Sequence, residues 1–82
     1  MQVKENELKN ILAKLFKVSV DSINDDSSMD NVKEWDSLNH LKLVLAIEDE
    51  LDISFTEQES VEILSFALIK EILKEHNIEV VA

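Results

Sequence analysis

The sequence predicts an all-α fold, a small four-helix bundle with three main helices, a short third helix, and a long loop between helices 1 and 2. Three observations predict it. The 82 residues contain no Gly and no Pro, whereas a β protein of this size needs tight turns that recruit both. Apolar residues recur at helical rather than alternating spacing. The chain is 45% hydrophobic, chiefly Leu, Ile and Val, with 32% charged residues, which is the composition of a folded domain and not of an acidic disordered tail.

Each element has its own signal. Leu8, Ile11, Leu12, Leu15 and Phe16 form one apolar stripe, which predicts a first helix from about Val3 to Phe16. From Lys17 to Asp36 the chain is rich in Ser, Asp and Asn, whose side chains compete with helical backbone bonds. This is a loop, and Val18, Val20, Ile23, Met29 and Val32 within it are expected to pin it to the core. Asp36 is a good N-cap for a second helix over Ser37 to Leu51. Thr56-Glu57-Gln58-Glu59 is a capping-box pattern ahead of a short helix ending near Ile63. Ser65 can cap a last helix carrying Phe66, Ile69, Ile72 and Leu73. Residues 77–82 are expected to fray. Residues 1–82 thus read as one domain.

Composition excludes several function classes. The 8 Lys+Arg against 18 Asp+Glu give a net charge of -10, which repels nucleic acid and anionic membrane surfaces and favours a basic protein partner. Zero Cys removes disulfides, Cys-ligated zinc and any thiol of the chain's own. Without Gly there is no phosphate-cradling loop. No apolar run reaches the ~18–20 residues of a membrane span, and the polar start Met1-Gln2-Val3-Lys4-Glu5 carries no apolar signal core, so a cytoplasmic location is expected.

The second helix carries more apolar surface than a small bundle can bury. At ~100° per residue, Leu43, Val44, Ile47 and Leu51 share one arc, while Leu38, Leu41 and Leu45 extend it to roughly 220°. One arc is expected to face the core and the other to dock a partner. Ser37 and Glu48 fall on the docking side beside Leu41.

Chemistry by the chain itself finds little support. Ser37 and His40 lie one turn apart, but a triad needs an oriented base and preorganised oxyanion donors, and no Gly-x-Ser-x-Gly elbow is present. An EF-hand loop opening at Asp26 would need Gly and Glu where Asn31 and Ser37 stand. His40 and His76 are isolated and read as solvated or packed histidines. Trp35 reads as a packing residue that fixes the loop against the helix start.

Trp35-Asp36-Ser37-Leu38, followed by Leu41-Lys42-Leu43-Val44-Leu45-Ala46-Ile47-Glu48-Asp49-Glu50-Leu51, resembles the acyl carrier protein family. The resemblance spans roughly Glu5 to Glu75. It rests on Asp-Ser-Leu at the start of the second helix of a short, acidic, four-helix chain. It implies a non-catalytic carrier whose Ser37 accepts 4′-phosphopantetheine from coenzyme A, by the action of a separate magnesium-dependent phosphopantetheinyl transferase. Acyl or aminoacyl groups would then ride as thioesters on the arm, and an apolar crevice between helices would shelter an acyl chain. Asp36 and Leu38 match the motif on either side of Ser37. Leu38, Leu41, Lys42, Leu45, Glu48 and Asp49 match positions that meet the loading and downstream enzymes. The resemblance further implies a monomer whose partners have basic docking surfaces. Three residues depart from the family pattern. Lys42 stands where an acid is common, Glu34-Trp35 replaces a Gly and a small residue, and Thr56 replaces a Pro. These suit a dedicated carrier of one pathway better than one of housekeeping fatty acid synthesis. The alternative is a small acidic helical interaction module in which Ser37 only starts a helix.

Overall fold

A computed structural model describes residues 1–82. The order is β1 (Gln2–Lys4), α1 (Glu5–Phe16), a single 3-10 turn (Val20–Ser22), α2 (Ser37–Leu51), α3 (Glu57–Glu62), α4 (Phe66–Glu75) and β2 (Glu79–Val81). The four expected helices are present, and 17 buried hydrophobic residues form one core. Leu8, Leu12 and Phe16 of α1, Leu43 and Ile47 of α2, and Phe66, Ile69 and Leu73 of α4 lie at its centre, each at most 2% exposed. The short α3 buries no side chain of its own. Ile63, immediately after it, does.

The two ends of the chain differ from expectation. The first helix begins at Glu5, not Val3, because Gln2–Lys4 is extended and pairs in parallel with Glu79–Val81, Val3 lying opposite Val80. Residues 77–82, expected to fray, are instead held. Ile78 and Val3 are both buried, Glu79 donates its amide to the Met1 carbonyl at 2.9 Å, and Gln2 Nε2 reaches Glu79 Oε2 at 3.3 Å. Burial of Ile78 and Val3 gives the chain ends a reason to meet, and the ladder satisfies backbone groups that would otherwise be stranded beside the core.

The helix ends explain how the chain turns without glycine. Lys17, Asp52 and Asn77 adopt left-handed backbone, with φ of 58°, 53° and 62°. Each is followed by a branched apolar residue whose amide returns to a carbonyl five positions back: Val18 to Ala13, Ile53 to Glu48 and Ile78 to Leu73, all within 3.1 Å. This is the Schellman ending, usually built on Gly, with its accompanying apolar contact.

The long loop is tied to the junction of α3 and α4. Ser27 is buried, and its carbonyl accepts from Phe66 N at 2.9 Å, while Met29 N donates to Leu64 O at 3.1 Å. Ser28 and Ser65 form an antiparallel bridge. Lys70 of α4 adds an ionic tie, lying 2.6 Å from Asp25 and 2.9 Å from Glu5. Burial opposes the charge on Lys70, but its bonds to Asp25 and then Glu5 outweigh that and hold its pKa above the ordinary value.

Candidate modification site and docking face

The segment before α2 is built by local hydrogen bonds. Trp35 N donates to Val32 O at 2.9 Å, and Asn39 Nδ2 donates to Glu34 O at 2.8 Å. The Asp36 carboxylate accepts from Asn39 N at 2.8 Å, as an N-cap does. The Trp35 ring is 1% exposed and lies 5.3 Å from Phe16, centroid to centroid. Trp35 is thus a packing residue, as the sequence suggested, but it anchors the loop on α1 as well as at the start of α2, where it bonds His40.

Ser37 follows as the first residue of the 15-residue α2, and it is exposed. Of the first four amides of the helix, Asn39 N is used by Asp36 and His40 N by the Asp36 carbonyl at 2.7 Å. The amides of Ser37 and Leu38 have no intramolecular acceptor, as expected at a helix start. A phosphodiester on Ser37 Oγ would meet these amides and the positive end of the helix dipole. The residues therefore fit a phosphate-linked group.

His40 cannot serve Ser37 as a base in this arrangement. Its Nδ1 accepts from Trp35 Nε1 at 3.1 Å, and its Nε2 lies 2.7 Å from Ser60 O. Both ring nitrogens are committed elsewhere. The sequence placed His40 among isolated histidines and missed this pairing. The only available hint was a Trp and a His five residues apart across a helix start.

The wide apolar arc of α2 divides in two. Leu43, Val44, Ile47 and Leu51 are buried, whereas Leu38, Leu41 and Leu45 are 62%, 57% and 57% exposed. Helical spacing sets those three leucines on one face with Ser37, Lys42 and Asp49. Lys42 is exposed and enters none of the molecule's ion pairs. Glu48 is different. It is half-buried, and its Oε2 accepts from Phe55 N at 2.7 Å. Its carboxylate thus holds the turn between α2 and α3, and Asp49 is the freer acid on this face.

An apolar-lined groove of about 670 Å³ runs between β1, α1 and the last turns of α2, bounded by Val3, Ile11, Leu15, Ala46 and Leu51. It does not adjoin Ser37. At ~1.5 Å per residue, Ala46 to Leu51 lie about 14–21 Å along the helix axis from it.

No helix is long and apolar enough to cross a membrane. Among solved structures, the chain is similar to a protein from Mycobacterium tuberculosis proposed to be an acyl carrier protein. The TM-score is 0.78 at 17% identity, covering 88% of this chain and 96% of that one. This likeness establishes a shared fold. The profile of the phosphopantetheine attachment site matches residues 6–72, a span that takes in all four helices except the first residue of α1 and the last three of α4. With that match, the chain belongs to the family of phosphopantetheine-binding carrier domains, which carry a prosthetic arm and do not themselves catalyse.

Proposed function

We propose that Ser37 is the attachment residue and that the chain carries acyl or aminoacyl intermediates as thioesters, presenting them to partner enzymes of one dedicated pathway. The observation that carries this reading is the exposed Ser37 hydroxyl at the start of α2, next to two free amides and at the edge of an exposed apolar face. The arm supplies the thiol, which a chain without Cys lacks. The chain's own residues do the rest. Asp36 and Asn39 hold the turn in register, and the amides of Ser37 and Leu38 offset the phosphodiester charge. Because His40 is occupied on both nitrogens, the base that takes the Ser37 proton during transfer belongs to the transferase.

Leu38, Leu41 and Leu45 form the apolar centre of the docking face, with Asp49 and Lys42 as its charged margin and Glu48 contributing through the turn it holds. Between Lys42 and Lys70 the chain has seven acids and no base: Glu48, Asp49, Glu50, Asp52, Glu57, Glu59 and Glu62. That density supports a basic partner surface, and Lys42 at its border supports a partner with one acid placed to meet it. Tethering the cargo raises its effective concentration at whichever enzyme is docked.

Coenzyme A bearing a fluorophore on its sulfur, with magnesium and a phosphopantetheinyl transferase, is the direct test. The wild-type chain should take up one label and Ser37→Ala none. Failure of several transferases of different specificity to label the folded wild type would contradict the proposal.

A further inference from the structure

We infer that His40 is a positioning residue for transfer onto Ser37: its two ring nitrogens tie Trp35 to the last turn of α3 and so fix α3 beside the attachment serine. The inference rests on reading Ser37 as the attachment residue.

The bonding pattern sets the state of the ring. A Trp Nε1–H can only donate, so the 3.1 Å contact requires a lone pair on His40 Nδ1. The hydrogen then resides on Nε2, which donates to Ser60 O at 2.7 Å. The Ser60 carbonyl needs that donor. α3 ends at Glu62, and the Leu64 amide, which would reach Ser60 O in a continuing helix, turns to Glu62 O at 2.8 Å instead. An orphan carbonyl of the helix end is thus satisfied by a side chain from α2.

This bond matters more for α3 than one hydrogen bond would for another helix. α3 has six residues and buries none of them, so core packing does not fix its position. Isolated helices this short are not stable in water. What holds it is the capping box of Thr56 and Glu59, the contact of Glu59 at 3.0 Å with His76, which follows the end of α4, the buried Ile63 just beyond its end, and His40. Only the last of these leads to the modification site. On the other side of the ring the linkage is firm, since Trp35 is buried and packs at a tilt against Phe16 of α1. Trp35 and His40 stand two residues before and three residues after Ser37. Val61, 58% exposed, directly follows Ser60, so the bond from His40 to the Ser60 carbonyl also bears on where Val61 sits.

The test compares wild type, His40→Phe, His40→Gln and Trp35→Phe in the transferase reaction and in amide hydrogen exchange. Phe keeps the bulk of the ring and loses both bonds, whereas Gln keeps one acceptor and one donor at similar separation. His40→Phe should raise the KM for the carrier about tenfold with kcat changed less than about twofold, the scale of one lost charge-neutral bond pair. Exchange of the amides of residues 60–63 should quicken about tenfold while those of Leu12, Leu43 and Leu73 stay protected. His40→Gln should recover most of both effects. Trp35→Phe, which removes only the donor to Nδ1, should shift both in the same direction by a smaller factor, and it decides the matter if His40→Phe does not fold. An unchanged KM and unchanged α3 exchange in the Phe variants would overturn the inference, as would His40→Gln behaving like His40→Phe. Wild-type protein that accepts no phosphopantetheine would overturn the Ser37 reading and the role in transfer together. The exchange measurement judges the tether to α3 independently of that outcome.

Discussion

At the scale of single residues, the site depends on how few of its groups are free. Asp36, Asn39, Trp35 and His40 are all engaged in holding the start of α2, and Ser37 is left exposed among them. Asp36 was legible as a cap because carboxylates at that position have one common use. Asp36→Ala should lower stability by about 1 kcal/mol, measured by urea denaturation, and should slow modification by loosening the serine's turn. An unchanged urea midpoint would mean that the turn is held by Trp35 and Asn39 alone. The role of His40 was not legible, because its partners come from the preceding loop and from a helix twenty residues later, and no periodicity announces a pair of that kind. Glu48 was legible only as an acid on the docking side. Its bond to Phe55 N depends on the path of the α2–α3 turn, which hydropathy does not encode.

At the scale of elements, the helices were readable from apolar spacing and caps, and their stops were not. The usual stop signal is Gly, and this chain uses Lys17, Asp52 and Asn77 in its place. Lys17→Gly should raise stability by about 0.5–1 kcal/mol, since relief of the left-handed strain exceeds the added entropy of the unfolded chain. A fall in the thermal midpoint would show that the Lys17 side chain contributes more than its backbone costs. For α2, the excess apolar arc correctly pointed to surface left outside the core. Leu41 is exposed, so Leu41→Ala should change stability by no more than about 0.5 kcal/mol while weakening partner association by about 1–2 kcal/mol. Lys42→Glu should improve use by enzymes with uniformly basic docking surfaces, most strongly at low ionic strength. Equal rates for wild type and variant at low salt would remove Lys42 from the recognition surface.

At the scale of the whole molecule, long-range ties close the bundle. The three-residue strands at the two ends were illegible, because neither is long enough to show alternation and their pairing spans nearly the entire sequence. Lys70 joins α4 to α1 and to the loop through Glu5 and Asp25, and Glu59 joins α3 to α4 through His76. The Glu59 carboxyl is held below its ordinary pKa, first by the Thr56 backbone amide and then by His76. A carboxyl whose pKa is lower in the folded state binds fewer protons there than in the unfolded chain. Its contribution is therefore present above the ordinary value of 4.5 and is lost as pH falls through the depressed one. Glu59→Gln keeps the capping bond but cannot ionise. The wild type should be the more stable of the two near neutral pH, and the gap should close on acidification. A gap independent of pH would assign the contribution to bonding geometry and not to charge.

On the proposed reading, the loop, the cap and the packed core all serve to present one serine, Ser37. The intact mass of the wild-type chain and of Ser37→Ala, each incubated with coenzyme A, magnesium and a phosphopantetheinyl transferase, tests it most directly. The wild type should gain a single phosphopantetheine, located by fragmentation to Ser37, and Ser37→Ala should stay unmodified but folded. Modification that persists in Ser37→Ala, or that maps to another residue, would contradict it.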